Sequence, residues 1–563
     1  MMLRLATPLI FLLLLVPVLA GIVVSFLPAF GYLPALGGNE FTFKWWQTLA
    51  SVPGITHSIS LSLIAGLVTP FIALTLVLLF LASASGRRLD SWTRRLISPV
   101  LAVPHAAAAF GLVFLIAPSG FLFRVFSPTL SGLDRAPDLL IINDTWGLSL
   151  IAGLVIKEIP FLMLVALAAL PQINPEQRLA MARTLGYSLV TAWLKVVAPA
   201  LYPLIRLPLF AVIAYASATV DVALILGPNL PPTLSVRLLD WFADPNLDNR
   251  FLAAAAAILQ LGVSALAITL WIAGEKLAGW LASDWLQNGK RRDWEKTLRI
   301  LGRIGVPVAL SILVMGLLLL LMNAFAGLWR FPDTLPAEWT LRHWRTAGMA
   351  IATPLSNTLW IAVPVTGLTL ILVVASLEAE HRQHRERSLL AGLLYLPLII
   401  PQVAFLFGLI VITELLQWQP GYWLVALGHM LFVLPYIYLT LAQVYRRFDT
   451  RWLQLGATLG ATANQRLWRI RLPMLLAPLL TSAAIGLAIS ISLYLPTQLL
   501  GAGRVSTITT EAVALASGGS AGVIAVWASL QAILPMLAFT AALVIPHVIW
   551  RQRAGMRDTH ADA

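Results

Sequence analysis

The sequence predicts an all-α polytopic membrane protein of about twelve transmembrane helices in two homologous parallel halves of six. Three observations carry this. Hydrophobic residues make up 59% and charged residues 11% of the 563, against about 45–50% and about 25% in soluble domains. The apolar residues fall in runs of about 20, enough to cross about 30 Å of hydrocarbon at about 1.5 Å per residue. One pattern also occurs twice. Ala180-Met-Ala-Arg-Thr-Leu-Gly186 leads to Ala198-Pro199, and Gln454-Leu-Gly-Ala-Thr-Leu-Gly460 leads to Leu472-Pro473. In each copy the proline follows the glycine by 13 residues, and the copies lie 274 apart.

The first apolar run, about Leu5 to Leu27, follows Arg4. It exceeds the roughly 7–15 residues of a signal-peptide core, so it reads as an uncleaved first span. Further spans are expected near 56–83, 96–117, 147–171, 202–226 and 251–274, then 302–328, 355–377, 388–415, 421–444, 476–500 and 520–549. Twelve spans put both termini on one side. Most of the 38 Lys and Arg fall on that side, including Arg87, Arg88, Arg94, Arg95, Lys290, Arg291, Arg292, Arg382, Arg385, Arg387, Arg446, Arg447, Arg551 and Arg553. The positive-inside rule therefore makes it the cytoplasm. Trp45, Trp46, Trp92, Trp146, Trp241, Trp285, Trp418 and Trp423 stand near expected span ends, as interfacial anchors do. The net charge of +13 is scattered between apolar runs, which is topology information and not a nucleic-acid surface. The absence of cysteine excludes disulfides, thiolate metal sites and thiol catalysis.

The duplication extends beyond the repeated loop. Pro104 with Phe110-Gly-Leu112 returns as Pro401 with Phe407-Gly-Leu409, 297 residues later. Leu226-Gly227 and Leu500-Gly501 are again 274 apart. The first half thus carries about 23 extra residues within the periplasmic stretch 117–146. The halves are expected at 1–274 and 300–563, joined by a basic cytoplasmic linker at 275–299. Six spans per half give both the same orientation, hence a pseudo-two-fold axis along the membrane normal with a pathway at the interface.

A helix that docks into a partner needs an apolar anchor, a small residue for close approach and a sharp exit. In the first copy Met181, Leu185 and Leu189 supply the anchor, Gly186 the turn, and Pro199 and Pro203 the exit. In the second, Leu453, Ala457 and Ala461 stand at similar spacing, with Gly460, Pro473 and Pro478 in the same roles. Duplicated amphipathic helices lying on lipid are the plainer reading of such a pattern. No G-x-x-x-x-G-K-[ST] run occurs, so the chain has no phosphate-binding loop with which to hydrolyse ATP.

With these motifs the chain resembles the permeases of binding-protein-dependent ABC importers, whose signature loop reads Glu-Ala-Ala, three residues, Gly, and Leu-Pro about thirteen residues on. The resemblance covers both halves. Ala180 and Gln454 occupy the glutamate positions. The double-length arrangement is similar to fused permeases that import thiamine or ferric iron. The run Tyr494-Leu-Pro-Thr-Gln-Leu-Leu-Gly-Ala-Gly-Arg504, with Thr509-Thr510-Glu511 and Gly518-Gly519, looks most like the YnjC group. The resemblance implies coupling loops near 176–198 and 450–473, formed by Ala180, Met181, Ala182, Leu185, Gly186 and Pro199, and by Gln454, Leu455, Gly456, Leu459, Gly460 and Pro473. It implies two copies of a cytoplasmic ABC ATPase, a periplasmic substrate-binding protein, a bacterial inner-membrane location, and no cofactor of the chain's own, ATP being bound by the partner subunits. The chain itself is then a permease subunit and not an enzyme.

Several polar residues remain inside or beside the spans. Lys157 and Glu158 fall mid-span, where an ionisable group costs at least roughly 2.5–3.5 kcal/mol. They line a pathway or gate, or are neutralised by neighbouring helices. Adjacent helical positions point about 100° apart, which disfavours a pair with each other. The equivalent span carries His429 and Pro435. Asp221 could draw in a cationic solute; Arg206 reads as a snorkelling anchor. Thr507, Thr509, Thr510 and Glu511 form a polar turn that caps a helix or faces the binding protein. His381 and His384 lie among Arg382, Arg385 and Arg387, which repel a metal ion. The rival to the importer reading is a twelve-span secondary transporter driven by an ion gradient through Glu158 and Asp221. A membrane enzyme lacks any paired carboxylate or nucleophile–base arrangement.

Overall fold

The computed structural model describes residues 2–84, 100, 102–291, 294–383 and 392–551. Arg87, Arg88, Trp92, Arg94, Arg95, Arg292, His384, Arg385, Arg387 and Arg553, invoked above, lie outside the described residues.

The first half runs α1 (Met2–Ala29), α2 (Lys44–Ser51), α3 (Ile55–Ala84), α4 (His105–Ile116), α5 (Phe121–Phe126) and α6 (Leu148–Ala169). It continues with α7 (Pro175–Thr184), α8 (Leu189–Ala218), α9 (Asp221–Leu226), α10 (Leu234–Ala243) and α11 (Asn249–Gln287). The second half runs α12 (Glu295–Phe325), α13 (Arg342–Gln383), α14 (Gln402–Leu415), α15 (Tyr422–Arg446) and α16 (Arg451–Thr458). Then come α17 (Ala463–Met474), α18 (Leu476–Ser492), α19 (Leu495–Gly501), α20 (Ile508–Ala514) and α21 (Ala521–Ile549). Among the described helices α5 lacks a counterpart, and α2 with α3 corresponds to the single long α13. The α4–α6 connection occupies 117–147, whereas α14 and α15 are joined by 416–421 alone.

The outer face of α1 exposes Leu5, Leu9, Leu12, Val16, Leu19 and Val23, while Ile10, Leu14 and Val18 on its other face are buried. A helix apolar on its exposed side is solvated by lipid. Among the described residues ten helices are long and apolar enough to cross a membrane, or eleven if α17 and α18, bent by 74°, form one span. One expected span, 388–415, begins outside the described residues and is not among these. The helix there is α14, only 14 residues, about 21 Å at 1.5 Å per residue. Pro401 stands at its N-cap and Pro397 is the second residue of the single turn before it; proline lacks the N–H that would carry a helix through. The linker expected at 275–299 is also shorter as a linker, because α11 continues to Gln287 and α12 begins at Glu295.

Each half lends its first helix to the other. α1 lies along α14, and α12 lies along α3 and α4. Both crossings are made of paired glycines. A Cβ on Gly408 of α14 would stand 1.8 Å from the Gly21 carbonyl oxygen of α1, and one on Gly111 of α4 would stand 2.8 Å from the Gly316 carbonyl carbon of α12. Where lipid removes the hydrophobic drive, close backbone approach supplies helix association. The hydroxyl of Ser25 adds bonds to the carbonyls of Gly21 (2.8 Å) and Ala404 (2.9 Å). The repeated Phe-Gly-Leu is the sequence mark of this exchange. The repeated Leu-Gly has a similar cause: a Cβ on Gly153 of α6 or Gly428 of α15 would lie 2.4 Å from Leu226 or Leu500.

Candidate functional site

The two repeated loops share one backbone plan. Gly186 and Gly460 turn the chain with φ of 84° and 80°, a left-handed conformation that glycine adopts without strain. Ser188 and Thr462 then stand at N-caps. A π-helical turn follows in each copy, Trp193–Val197 and Leu467–Arg471. Pro199 and Pro473 come two residues after it, and the widened turn relieves the clash a proline ring makes with the carbonyl four residues earlier. The sharp exit expected of both copies needs correction. Pro199 and Pro203 sit inside α8, which runs on to Ala218; only the second copy bends, between α17 and α18.

Met181 and Leu185 are 70% and 64% exposed, and Leu455 and Leu459, each 274 residues later, are 54% and 80% exposed. Ala180 and Gln454 are exposed beside them, while Ala182 and Gly456 face inward. The anchor expected from Leu453, Ala457 and Ala461 is thus misplaced: Leu453 is buried, and Arg466 donates to its carbonyl. At the start of α16, Arg451 bonds Asp449 at 3.0 Å and holds that carboxyl below the ordinary carboxylate range.

The second loop is tied to the membrane helices by charges no local pattern signalled. Arg471, in the π turn, is buried and bonds Glu378 of α13 at 2.8 Å. Tyr445 and Arg382 also donate to Glu378, each at 2.7 Å. Alongside, Glu380 accepts from Arg446 and Tyr438, both at 2.9 Å. The positions equivalent to Glu378 and Arg471 are Leu81 and Val197, both buried in the first half's apolar core.

Between the halves lies a polar cluster. Lys157 and Glu158 are both buried and diverge: Lys157 donates to the Val100 carbonyl at 3.3 Å, and Glu158 meets His105 Nε2 of α4 at 3.1 Å. The His105 ring, partly exposed, lies 4.8 Å from that of Tyr215. Asp221, half-buried, accepts from Thr219 at 3.1 Å and lies within electrostatic reach of His105. From the second half, Tyr436 is within reach of Glu158, and Tyr494 of Asp221. His105 was missed by sequence reasoning; its only signal is a histidine after Pro104 in an apolar run. The cluster brings two carboxylates, an imidazole and the phenols of Tyr215, Tyr436 and Tyr494 together at the junction of the halves.

His429 lies apart from this cluster. It is buried, with Nδ1 bonded to Ser490 (2.8 Å) and Nε2 to Thr497 (2.9 Å), joining α15, α18 and α19. Thr510 forms a capping box with Thr507, and Glu511 is half-buried in that first turn. The extra residues of the first half reach the other half through Arg124, which donates to the carbonyls of Ser119 (2.8 Å), Arg330 (2.8 Å) and Asp333 (3.0 Å). Beside it opens a cavity of about 550 Å³ lined by Phe110, Phe114, Arg124, Asn143, Trp329 and His343.

Residues 367–553 match the family described as binding-protein-dependent transport system inner membrane component. The second half carries a binding-protein-dependent permease domain. The permease is 27% identical over 522 residues to the inner membrane ABC transporter permease protein YnjC of Escherichia coli K12, covering 91% of this chain and 92% of that protein. It is 28% identical over 109 residues to the spermidine/putrescine transport system permease protein PotC of the same strain, or 19% of this chain and 41% of that protein. PotC of Haemophilus influenzae is 25% identical over 134 residues, 23% of this chain and 52% of its own. Its homologues are thus permease components of ABC transporters, and the chain is a multi-pass inner-membrane protein.

Proposed function

We propose that the chain is the transmembrane permease subunit of an ATP-binding cassette importer, moving a small solute delivered by a periplasmic binding protein. Two copies of a separate ATPase seat on α7 and α16 in the cytoplasm, where both termini also lie. The observation that carries this reading is the pair of outward apolar steps, Met181–Leu185 and Leu455–Leu459, presented by matching backbone at equivalent positions. Their fit is one of shape, since Ala180 and Gln454 replace the signature charge. ATP-driven closure of the ATPases would push the loops together and switch the pathway between the halves, provided ATPases and loaded binding protein prefer different permease conformations. Glu158 and Asp221 favour a cationic solute, as spermidine and putrescine are in the names of the PotC relatives.

The test is purification from the native membrane. A P-loop ATPase should accompany the intact chain and be lost from the double variant Leu185→Asp, Leu459→Asp. Transport that survives ATP depletion but stops when the ion gradient collapses would instead establish the secondary-transporter reading. Single cysteines at 181 and 455, in a chain without native cysteine, test orientation: both should react with impermeant maleimide only in inside-out vesicles.

A further inference from the structure

Ser188 and Thr462 occupy equivalent positions, yet their polar groups are satisfied differently. In the second loop the cap is local: Thr462 N–H donates to Gln465 Oε1 at 2.8 Å, and Gln465 N–H donates to the Thr462 hydroxyl at 3.3 Å. In the first, Thr191 stands where Gln465 would be; its hydroxyl lies 2.9 Å from that of Ser188, but no capping box to the backbone forms. The linker between the halves takes over. Ser188 N–H donates to the Arg291 carbonyl at 3.0 Å, and the Ser188 hydroxyl donates to the Glu295 carboxylate.

More of the linker grips the same loop. Lys195 donates to Asn288 at 3.1 Å and lies over the rings of Trp285 (4.8 Å) and Tyr187 (5.4 Å). A Cβ on Gly186 would meet Arg291 at 3.3 Å, whereas one on Gly460 would meet nothing within 4 Å. Glu295 is itself fixed by Arg299, one turn along α12.

We infer that the inter-half linker is a positioning element of the first docking loop, with Glu295 and the Arg291 carbonyl acting as the second half of its cap. Because Glu295 opens α12, the first helix of the second half, the first loop is joined mechanically to both halves. The second loop is joined to its own half through Arg471 and Glu378. The two ATPase seats are therefore inequivalent. That last consequence rests on the function proposed above; the clamp does not.

Hydrogen exchange on the intact permease in lipid nanodiscs tests it. Glu295→Ala and Ser188→Ala should each speed exchange over 187–192 about fivefold, the fold-change of a typical lost cap, and leave 461–466 unchanged. Thr462→Ala should do the reverse. Glu295→Gln, which still accepts from Ser188, should restore most protection. Unchanged exchange at 187–192, equal loosening of both loops, or failure of Glu295→Gln to rescue would each overturn the clamp. If Glu295→Ala does not fold, Ser188→Ala carries the same test alone. The altered exchange would stand even if no ATPase co-purified, a result that would remove only the function proposed above.

Discussion

Replacing Glu378 by leucine should strongly destabilise the permease, and removing its buried partners as well should repair most of the damage. Glu378 and Arg471 have side chains only 6% and 2% exposed. Removing the carboxylate leaves a buried guanidinium without its acceptor, and Arg471 Nε already has no hydrogen-bond partner. Breaking such a pair costs roughly 3–5 kcal/mol, a hundredfold or more in the folding equilibrium at about 1.4 kcal/mol per tenfold. The Tyr445 hydroxyl, also deprived, adds about 1 kcal/mol. In the triple variant Glu378→Leu, Arg471→Val, Tyr445→Phe, no buried charge or hydroxyl is stranded. Only Arg382, partly exposed, loses a partner, so the net cost should fall below about 2 kcal/mol. Unfolding by SDS titration in mixed micelles, followed by tryptophan fluorescence, gives both numbers. A triple variant as unstable as the single one would refute the reasoning.

Gly408→Leu should prevent α1 from docking on α14, with a loss well above the roughly 1–3 kcal/mol of ordinary overpacking, read as protease sensitivity in the membrane; a control with open space around it, Gly421→Leu, where a Cβ would meet nothing within 4 Å, should be silent. Leu185→Asp with Leu459→Asp should leave stability within about 0.5 kcal/mol while removing co-purifying ATPase. His429→Leu should cost about 1–3 kcal/mol by stranding Ser490, with uptake per folded molecule unchanged. Glu158→Gln retains a partner for His105 but drops the charge, so radiolabelled spermidine uptake should fall while ATPase assembly persists; equal uptake would remove Glu158 from the pathway.

The apolar runs located the long helices because a span leaves a one-dimensional trace about 20 residues wide. The offsets 297 and 274 likewise marked real contacts, the glycine crossings and the leucine–glycine steps. The short α14 was hidden because hydropathy reads through Pro397 and Pro401, whereas the backbone does not. The outward face of α16 was misread because Trp452, Leu453, Leu455 and Leu459 satisfy two helical faces, and only packing against Arg466 and Ile470 decides between them. Glu378 and Arg471 are 93 residues apart, and His105 and Glu158 are 53 apart. Neither pair has a periodicity to betray it. The Ser188 cap was illegible for the same reason: half of it comes from Glu295.

The exchange of first helices also sets a timetable for synthesis. α1 ends at Ala29, but α14, against which its glycine face closes, begins at Gln402. At about 5–20 residues per second, the nascent α1 waits roughly 20–75 s with Gly21 facing lipid or the insertion machinery. The first half therefore cannot finish assembling ahead of the second, and encoding both in one polypeptide ensures that the awaited helix arrives from the same ribosome.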